Sequence, residues 1–172
     1  HRDPAARIDF NEVIRTMPDE TARAEAARCL DCHQVCSSCV GVCPNMAFFT
    51  YRNLLAAETP GARQAYQVAV LADFCNECGN CVTFCPTAGK PYRDKPRFYL
   101  NRREFEAETG NAYRVVRRGA AWAIQARHEG RTITLADGEA VPEGDAVRAG
   151  MRVLLHAFQH DMPYFPATEE LI

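Results

Sequence analysis

The sequence predicts an α+β protein in three successive parts: a helical arm over residues 1–28, a metal-cluster core over 29–98, and a small antiparallel β extension over 99–172. Three observations predict it. All nine cysteines fall in two tight runs, "CLDCHQVCSSCVGVCP" from Cys29 to Pro44 and "CNECGNCVTFCP" from Cys75 to Pro86. The residues before the first run are alanine-rich with apolar side chains at helical spacing. The residues after the second hold no cysteine, and their short runs of Val, Ile, Thr and Trp are split by Glu-Gly and Asp-Gly turns.

The arm comes first. "DFNEVIRTM" sets Phe10, Val13, Ile14 and Met17 at helical spacing. Thr16, Pro18 and Asp19 mark a new helix start, with the Asp19 charge complementing the positive helix end. "ETARAEAARCL" then runs into the first cysteine, and the expectation is a packing helix that buries Ala22, Ala26 and Leu30. Between the runs, "AFFTYRNLL" fits strand or helix, "YQVAVLADF" reads as a strand leading into Cys75, and Pro60-Gly61 in "ETPGAR" marks a turn. "PTAGKPYRDKPRF" after the second run is a proline-broken loop. From Tyr99, the stretch ending "EGDAVRAGMRVLLHAF" reads as one β unit, in which "RTITLADG" puts Ile133 and Leu135 on one face. The final "HDMPYFPATEELI" is polar and proline-broken.

Bulk properties exclude several classes. The 172 residues carry a net charge of -2, so no basic excess points to nucleic acid. No apolar run is long enough to span a bilayer, and the opening residues do not have the form of a signal peptide. A cytoplasmic protein is the expectation, and a start at His1 reads as a piece of a longer polypeptide. Disulfide frameworks scatter cysteines to staple distant loops; clumped cysteines read as metal binding.

The second run reads Cys75-x2-Cys78-x2-Cys81-x3-Cys85-Pro86. Three thiolates two residues apart can wrap one cubane from a tight loop, while the fourth, three further on, starts a helix pointing away. Proline suits that first helical turn, where no N–H is needed. Gly79 between two ligands is expected to let the backbone pass close to the cluster, so that N–H groups reach its sulfurs. The first run, Cys32-x3-Cys36-x2-Cys39-x3-Cys43-Pro44, keeps the pattern from Cys36 onward. Its first interval is one residue too long, and His33 stands where cysteine is expected.

Two such runs in tandem resemble a bacterial-type ferredoxin carrying two [4Fe–4S] clusters. The resemblance implies a bicluster ferredoxin-like core in which the fourth cysteine of each run crosses over. One cubane would take Cys32, Cys36, Cys39 and Cys85; the other would take Cys43, Cys75, Cys78 and Cys81. "EAARCLDC" is similar to the cysteine-bearing helix end of glutamate synthase small subunits and dihydropyrimidine dehydrogenases. "CSSCVGVCPN" with "DFCNECGNCVTFCPTAGKPYRDKPRFYL" is closer to the C-terminal iron–sulfur region of selenate reductase iron–sulfur subunits, over roughly residues 22 to 100. This implies an electron-transfer domain of a larger flavin-dependent, NAD(P)-linked oxidoreductase. Its partners would be a flavin-containing redox domain or subunit and a further redox protein. FAD and NAD(P) would be bound elsewhere in the parent chain or complex, since no G-x-G-x-x-G follows a strand here. No residue is placed for substrate chemistry, so no catalytic residue is expected.

Eight thiolates serve two cubanes, so one of the nine is spare. Cys29 and Cys32 compete for one place. Cys32 needs only a bulge and is taken as the ligand, with Cys29 the spare or alternative; in the "RCLxC" relatives both cysteines are ligands. Two rival readings stand beside the ferredoxin one. Thiolates in C-x2-C pairs also bind structural zinc, though commonly as two well-separated pairs. A free-standing ferredoxin is the other. His33 is a weaker soft ligand than adjacent Cys32. His156 and His160 can share a helix face but lack a metal motif. Lys90, Arg93, Lys95 and Arg97 suit either a solvated loop or the compensation of cluster charge. Phe74 and Phe84 are expected to exclude water from the second cubane.

Overall fold

The computed structural model describes residues 1–10, 17–27, 36–53, 55, 65–118 and 120–163. It divides into two compact units, His1–Cys32 and His33–Ile172. The first unit holds a 3-10 turn, Pro4–Ala6, where Asp3 accepts the Ala5 N–H at 2.9 Å, and an ion pair of Arg2 with Asp9 at 2.6 Å. Helix α1, Asp19–Ala27, starts at the expected aspartate. It does not bury Ala22, which is exposed, and Phe10 and Met17 are exposed too. The sequence DETARAEAA offers no apolar side chain larger than a methyl, so it has no stripe that could drive packing. Leu30 and the stretch 11–16 lie outside the described residues, as does the expected turn at Pro60-Gly61.

The second unit is built on one mixed sheet of six strands in chain order. These are β1 (Phe48–Arg52), β2 (Tyr66–Leu71), β3 (Arg97–Phe98), β4 (Ala112–Arg118), β5 (Ala121–His128) and β6 (Arg131–Ala136). The pairs β1/β2, β4/β5 and β5/β6 are antiparallel; β2/β3 and β3/β4 are parallel. Parallel neighbours need long crossovers. The first crossover, 72–96, contains the whole second cysteine run, and the second, 99–111, carries α5 (Arg102–Ala107). The fold is therefore α+β, with "FFTYR" settled as strand and the expected hairpins present as β4–β6. Both cysteine runs form one-turn helices, α2 (Ser38–Gly41) and α3 (Asn80–Thr83), and α4 (Pro91–Asp94) follows.

A further expectation fails. "AVRAGMRVLLHAFQH" is not part of a β unit but a 15-residue helix, α6 (Ala146–His160). The Asp145 side chain accepts the Arg148 N–H at 2.9 Å and so caps it. Val147, Met151, Leu154, Leu155 and Phe158 then recur at three- and four-residue steps, the helical period that the preceding Glu-Gly-Asp turn masked. This stripe packs on β5 and β6.

Strand β2 is buried on both faces, and the period of two decides what each face meets. Ala69 and Leu71 join the core beneath α6, with Phe98, Ile124, Leu135 and Phe158; the Phe98 and Phe158 rings are 4.6 Å apart. Val68 and Val70 point the other way, into a smaller core with Ala47, Phe48, Cys39 and Cys81. The sheet thus holds the cysteine runs on the face opposite α6.

Candidate metal centre

The two runs repeat at an offset of 42 residues, Cys39 to Cys81 and Cys43 to Cys85, and their backbones repeat with them. The Val40 N–H donates to the Ser37 carbonyl at 2.9 Å, as Val82 does to Gly79 at 2.9 Å. Val42 donates to Ser38 at 3.1 Å, as Phe84 does to Asn80 at 3.1 Å. After each Cys-Pro, a non-glycine residue takes a left-handed conformation: Met46 (φ 52) and Ala88 (φ 53). That strain turns the chain back on its cysteine. The Ala47 N–H then donates to Cys43 Sγ at 3.4 Å, and the Gly89 N–H to Cys85 Sγ at 3.2 Å. The two cysteine loops are one device built twice, which the sequence showed only as far as the Cys-Pro.

Cys43, from the first run, lines one recess together with Cys75, Cys78 and Cys81 of the second. Phe48 and Tyr92 form its apolar wall, and Asn45, Asn76 and Glu77 its polar rim. Burial pushes the Cys81 thiol up; the Tyr92 N–H draws it back, and the thiols of Cys75, Cys43 and Cys78 raise it further. Four sulfurs that would repel one another as thiolates are thus gathered where a polynuclear cationic group could take all of them. Among the described residues no three His, Cys, Asp or Glu side chains converge on a single-ion position. Four cysteines on one recess are a donor set of the type that either a [4Fe–4S] cluster or a zinc ion takes.

Of the set expected for the other cubane, Cys36, Cys39 and Cys85 are described. Burial pushes the Cys39 thiol up, Lys95 opposes this, and neighbouring Cys36 adds to it. Cys85 is held down by the Thr87 hydroxyl, which lies 3.4 Å away, by backbone N–H groups of Thr87 and Gly89, and by the same Lys95. Cys39 and Cys85 are therefore acted on by the same cation. Cys32, Cys29 and His33 lie outside the described residues.

Several further expectations are corrected or filled in. Phe74 and Phe84 do not shield the recess: they are 55% and 61% exposed, and Phe48 and Tyr92 do that work. Gly79 takes a φ of +83, the left-handed region that favours glycine, and a Cβ there would meet no protein atom within 4 Å. At Gly89 a Cβ would lie 3.5 Å from Cys85 Sγ and 3.3 Å from an Asp94 carboxylate oxygen. Of the four basic residues after the second run, Arg93 pairs with Glu77 at 3.0 Å and Arg97 with Glu108 at 3.1 Å. The His156 and His160 rings lie with centroids 4.2 Å apart on α6, tilted by 36°. Thr87 and Tyr92 were missed from sequence. Their signal was position: two residues past the last cysteine, and just after a proline that starts a helical turn.

Comparison with known proteins places the chain beside a redox protein. It is 38% identical over 120 residues to "Putative oxidoreductase YgfK" of Escherichia coli O157:H7, covering 66% of this chain and 11% of that protein. Against the protein of the same name from Escherichia coli strain K12 the identity is 43% over 97 residues, covering 56% of this chain and 9% of the relative. The chain thus spans about a tenth of the length of these curated relatives. No family model and no solved structure matches it. The oxidoreductase names of the relatives support a redox-related role. Among the described residues no helix is long and apolar enough to cross a membrane.

Proposed function

We propose that this chain is a cytoplasmic electron-transfer module that holds two [4Fe–4S] clusters within a larger flavin-dependent, NAD(P)-linked oxidoreductase. The observation that carries the reading is Cys43 lining one recess with Cys75, Cys78 and Cys81, the crossed arrangement of a bicluster ferredoxin. Cys36, Cys39 and Cys85, with Cys32 as fourth ligand, would hold the other cluster. When bound, such clusters carry single electrons, matching a flavin that can split the two-electron chemistry of a nicotinamide. The protein's own part is to fix the thiolates, to wall off water with Phe48 and Tyr92, and to aim the N–H groups of Ala47, Gly89 and Tyr92 at sulfur. FAD, NAD(P) and the redox partner belong to the parent protein, and selenate reductase-type subunits are the resemblance that suggests it.

Protein purified without oxygen should be brown and carry roughly eight iron and eight acid-labile sulfide per chain. A colourless protein with stoichiometric zinc overturns the reading. Cys43→Ala should damage the cluster held by Cys75, Cys78 and Cys81, and Cys85→Ala the one held by Cys36 and Cys39, as read by spectra of reduced samples. Loss of the cluster local to each substituted run would show uncrossed ligation.

A further inference from the structure

The sheet face opposite α6 is covered unevenly. The cysteine runs pack on it at β1 and β2, and α5 packs on it at β4, where Phe105 joins Tyr99 and Ala112 in a small core. Past α5 the face is open. The period of two puts Val115, Ile124 and Leu135 under α6, so Val116, Ala123, Gln125, Thr134 and Ala136 face the other way. These five line one groove, with Trp122 at its end. Its bed of methyl-sized side chains leaves room for larger apolar ones from another chain.

The groove is positively charged beside Gln125. Arg114 on β4 is paired directly with Gln125 on β5, and Arg127 follows two residues along the same face. Arg127 is fixed by hydrogen bonds from Nε–H to the Glu108 carbonyl and from Nη1–H to Thr132 Oγ1, both 2.8 Å. Arg114 is buried, and its Nε has no hydrogen-bond partner among the described residues. A buried guanidinium short of acceptors is costly, so added negative charge is favoured beside it. The carboxylate facing these groups is Glu106 on α5, which acts on Arg102, Arg114 and Arg127 alike and already accepts from Arg102 Nε at 2.7 Å. The Glu108 carboxylate is taken by Tyr99 and Arg97, and Glu104 and Glu129 are exposed to water. Three guanidinium groups thus surround one carboxylate. Residues 101–136 as a whole carry seven arginines, four glutamates and no lysine or aspartate, in a chain of net charge -2. Neighbouring strands are about 4.8 Å apart, so β5 stands about 14 Å from β2 across the face that also carries the cysteine runs.

We infer that the open face of β4–β6 is the docking surface for the redox partner of this chain, through an acidic amphipathic segment of that partner. Its apolar side chains fill the groove, and its carboxylates offset the charge of Arg102, Arg114 and Arg127. The inference rests on the proposed electron transfer, because it is the shared face that brings a docked partner beside the proposed clusters.

The test titrates the full chain, purified without oxygen, with a synthetic helix of about 18 residues that carries a leucine stripe flanked by glutamates. The same helix with lysine for glutamate, and vesicles of phosphatidylglycerol and phosphatidylcholine, are the other two arms. The acidic helix should bind, more weakly as salt is raised, and the lysine helix should not. Gln125→Glu, which places a carboxylate beside Arg114, and Ala123→Phe, which fills the groove, should each weaken binding by about tenfold. No binding, equal binding of both helices, or binding that ignores both variants overturns the inference. So does vesicle binding without helix binding, which would make the face a membrane contact. A dimer in sedimentation that Ala123→Phe dissolves also overturns it, by filling the groove with a second copy. Iron and sulfide measured on the same samples keep the two readings apart. Unloaded protein overturns the proposed function, whereas loaded protein that ignores the acidic helix overturns this inference alone.

Discussion

On one face of β2, Ala69 and Leu71 enter a core of fifteen buried residues that includes Phe98, Ile124, Met151 and Phe158. On the other face, Val68 and Val70 enter a core of six, two of which are Cys39 and Cys81. The first face is closed by a helix of fifteen residues, the second by two helices of four residues each. Apolar burial of the first kind stabilises by about 25 cal/mol per Å² and needs no ligand. A single-turn helix contributes almost nothing by itself, because nucleation costs more than one hydrogen bond returns. The cysteine face therefore depends on whatever joins its thiols, while the α6 face carries the fold.

Removing the proposed clusters is the largest break this comparison allows. Structural metal sites in small modules contribute on the order of 10 kcal/mol to the fold around them. Chelation under reducing conditions should abolish amide-exchange protection across 36–47 and 75–90, while β4, β5, β6 and α6 keep theirs. Equal loss on both faces would show that the α6 core does not stand without the clusters.

The converse break starts from α6. Phe158 is 1% exposed and packs on Phe98 and Phe49. Phe158→Ala should cost about 3–5 kcal/mol in urea unfolding. Because β2 is shared, the proposed clusters should be lost in the same transition as the helix. Iron released well before α6 unfolds would mean that the two faces melt separately.

A smaller effect is expected where a side chain ties the second run's crossover to the rest of the sheet. Asp73, just before Cys75, accepts the Leu100 N–H at 2.8 Å and the Asn101 N–H at 3.1 Å. Asp73→Ala leaves two part-buried donors unmatched, which should cost about 1–3 kcal/mol. Asp73→Asn, which keeps one acceptor, should recover part of it.

The same division decided what could be read from the sequence. Cysteine spacing names ligand types by chemistry, so the second run and the repeat were legible from Cys75-x2-Cys78-x2-Cys81-x3-Cys85 alone. The strands at Tyr66–Leu71 and Arg131–Ala136 were legible because β-branched residues cluster there between turns. Helix α6 was not, since its Val147 and Val153 continued a Val-rich β pattern and only the three- and four-residue steps from Val147 to Phe158 distinguish it. Nor could spacing show that β3, two residues long, joins the cysteine strands to the C-terminal hairpins, because such a strand has no periodicity. The roles given to Phe74 and Phe84 rested on closeness in sequence to cysteine, whereas Phe48 and Tyr92 reach the recess through tertiary structure.

The smallest expected effect lies where the two ends of the second unit are pinned. Arg52, the last residue of β1, donates its N–H to Asp161 at 3.1 Å and its Nε–H at 2.9 Å, just beyond α6. The hydrogen bond from Arg52 holds the Asp161 carboxyl below its ordinary range, with the Arg52 charge adding to this and partial burial opposing it. A carboxyl depressed in the folded state contributes stability above its unfolded pKa of about 3.9 and loses it as pH falls through the folded value. The melting temperature should therefore step down below about pH 4, and Asp161→Asn should lower it at pH 7 and flatten that step. Because Arg52 is exposed, solvent screens the pair, and 1 M salt should shrink the difference between wild type and Asp161→Asn at pH 7. Arg52→Met should reproduce the flattening, because it removes the same interaction from the other side. A full acid step persisting in both variants would assign it to other carboxylates and leave α6 held to β1 by apolar packing alone.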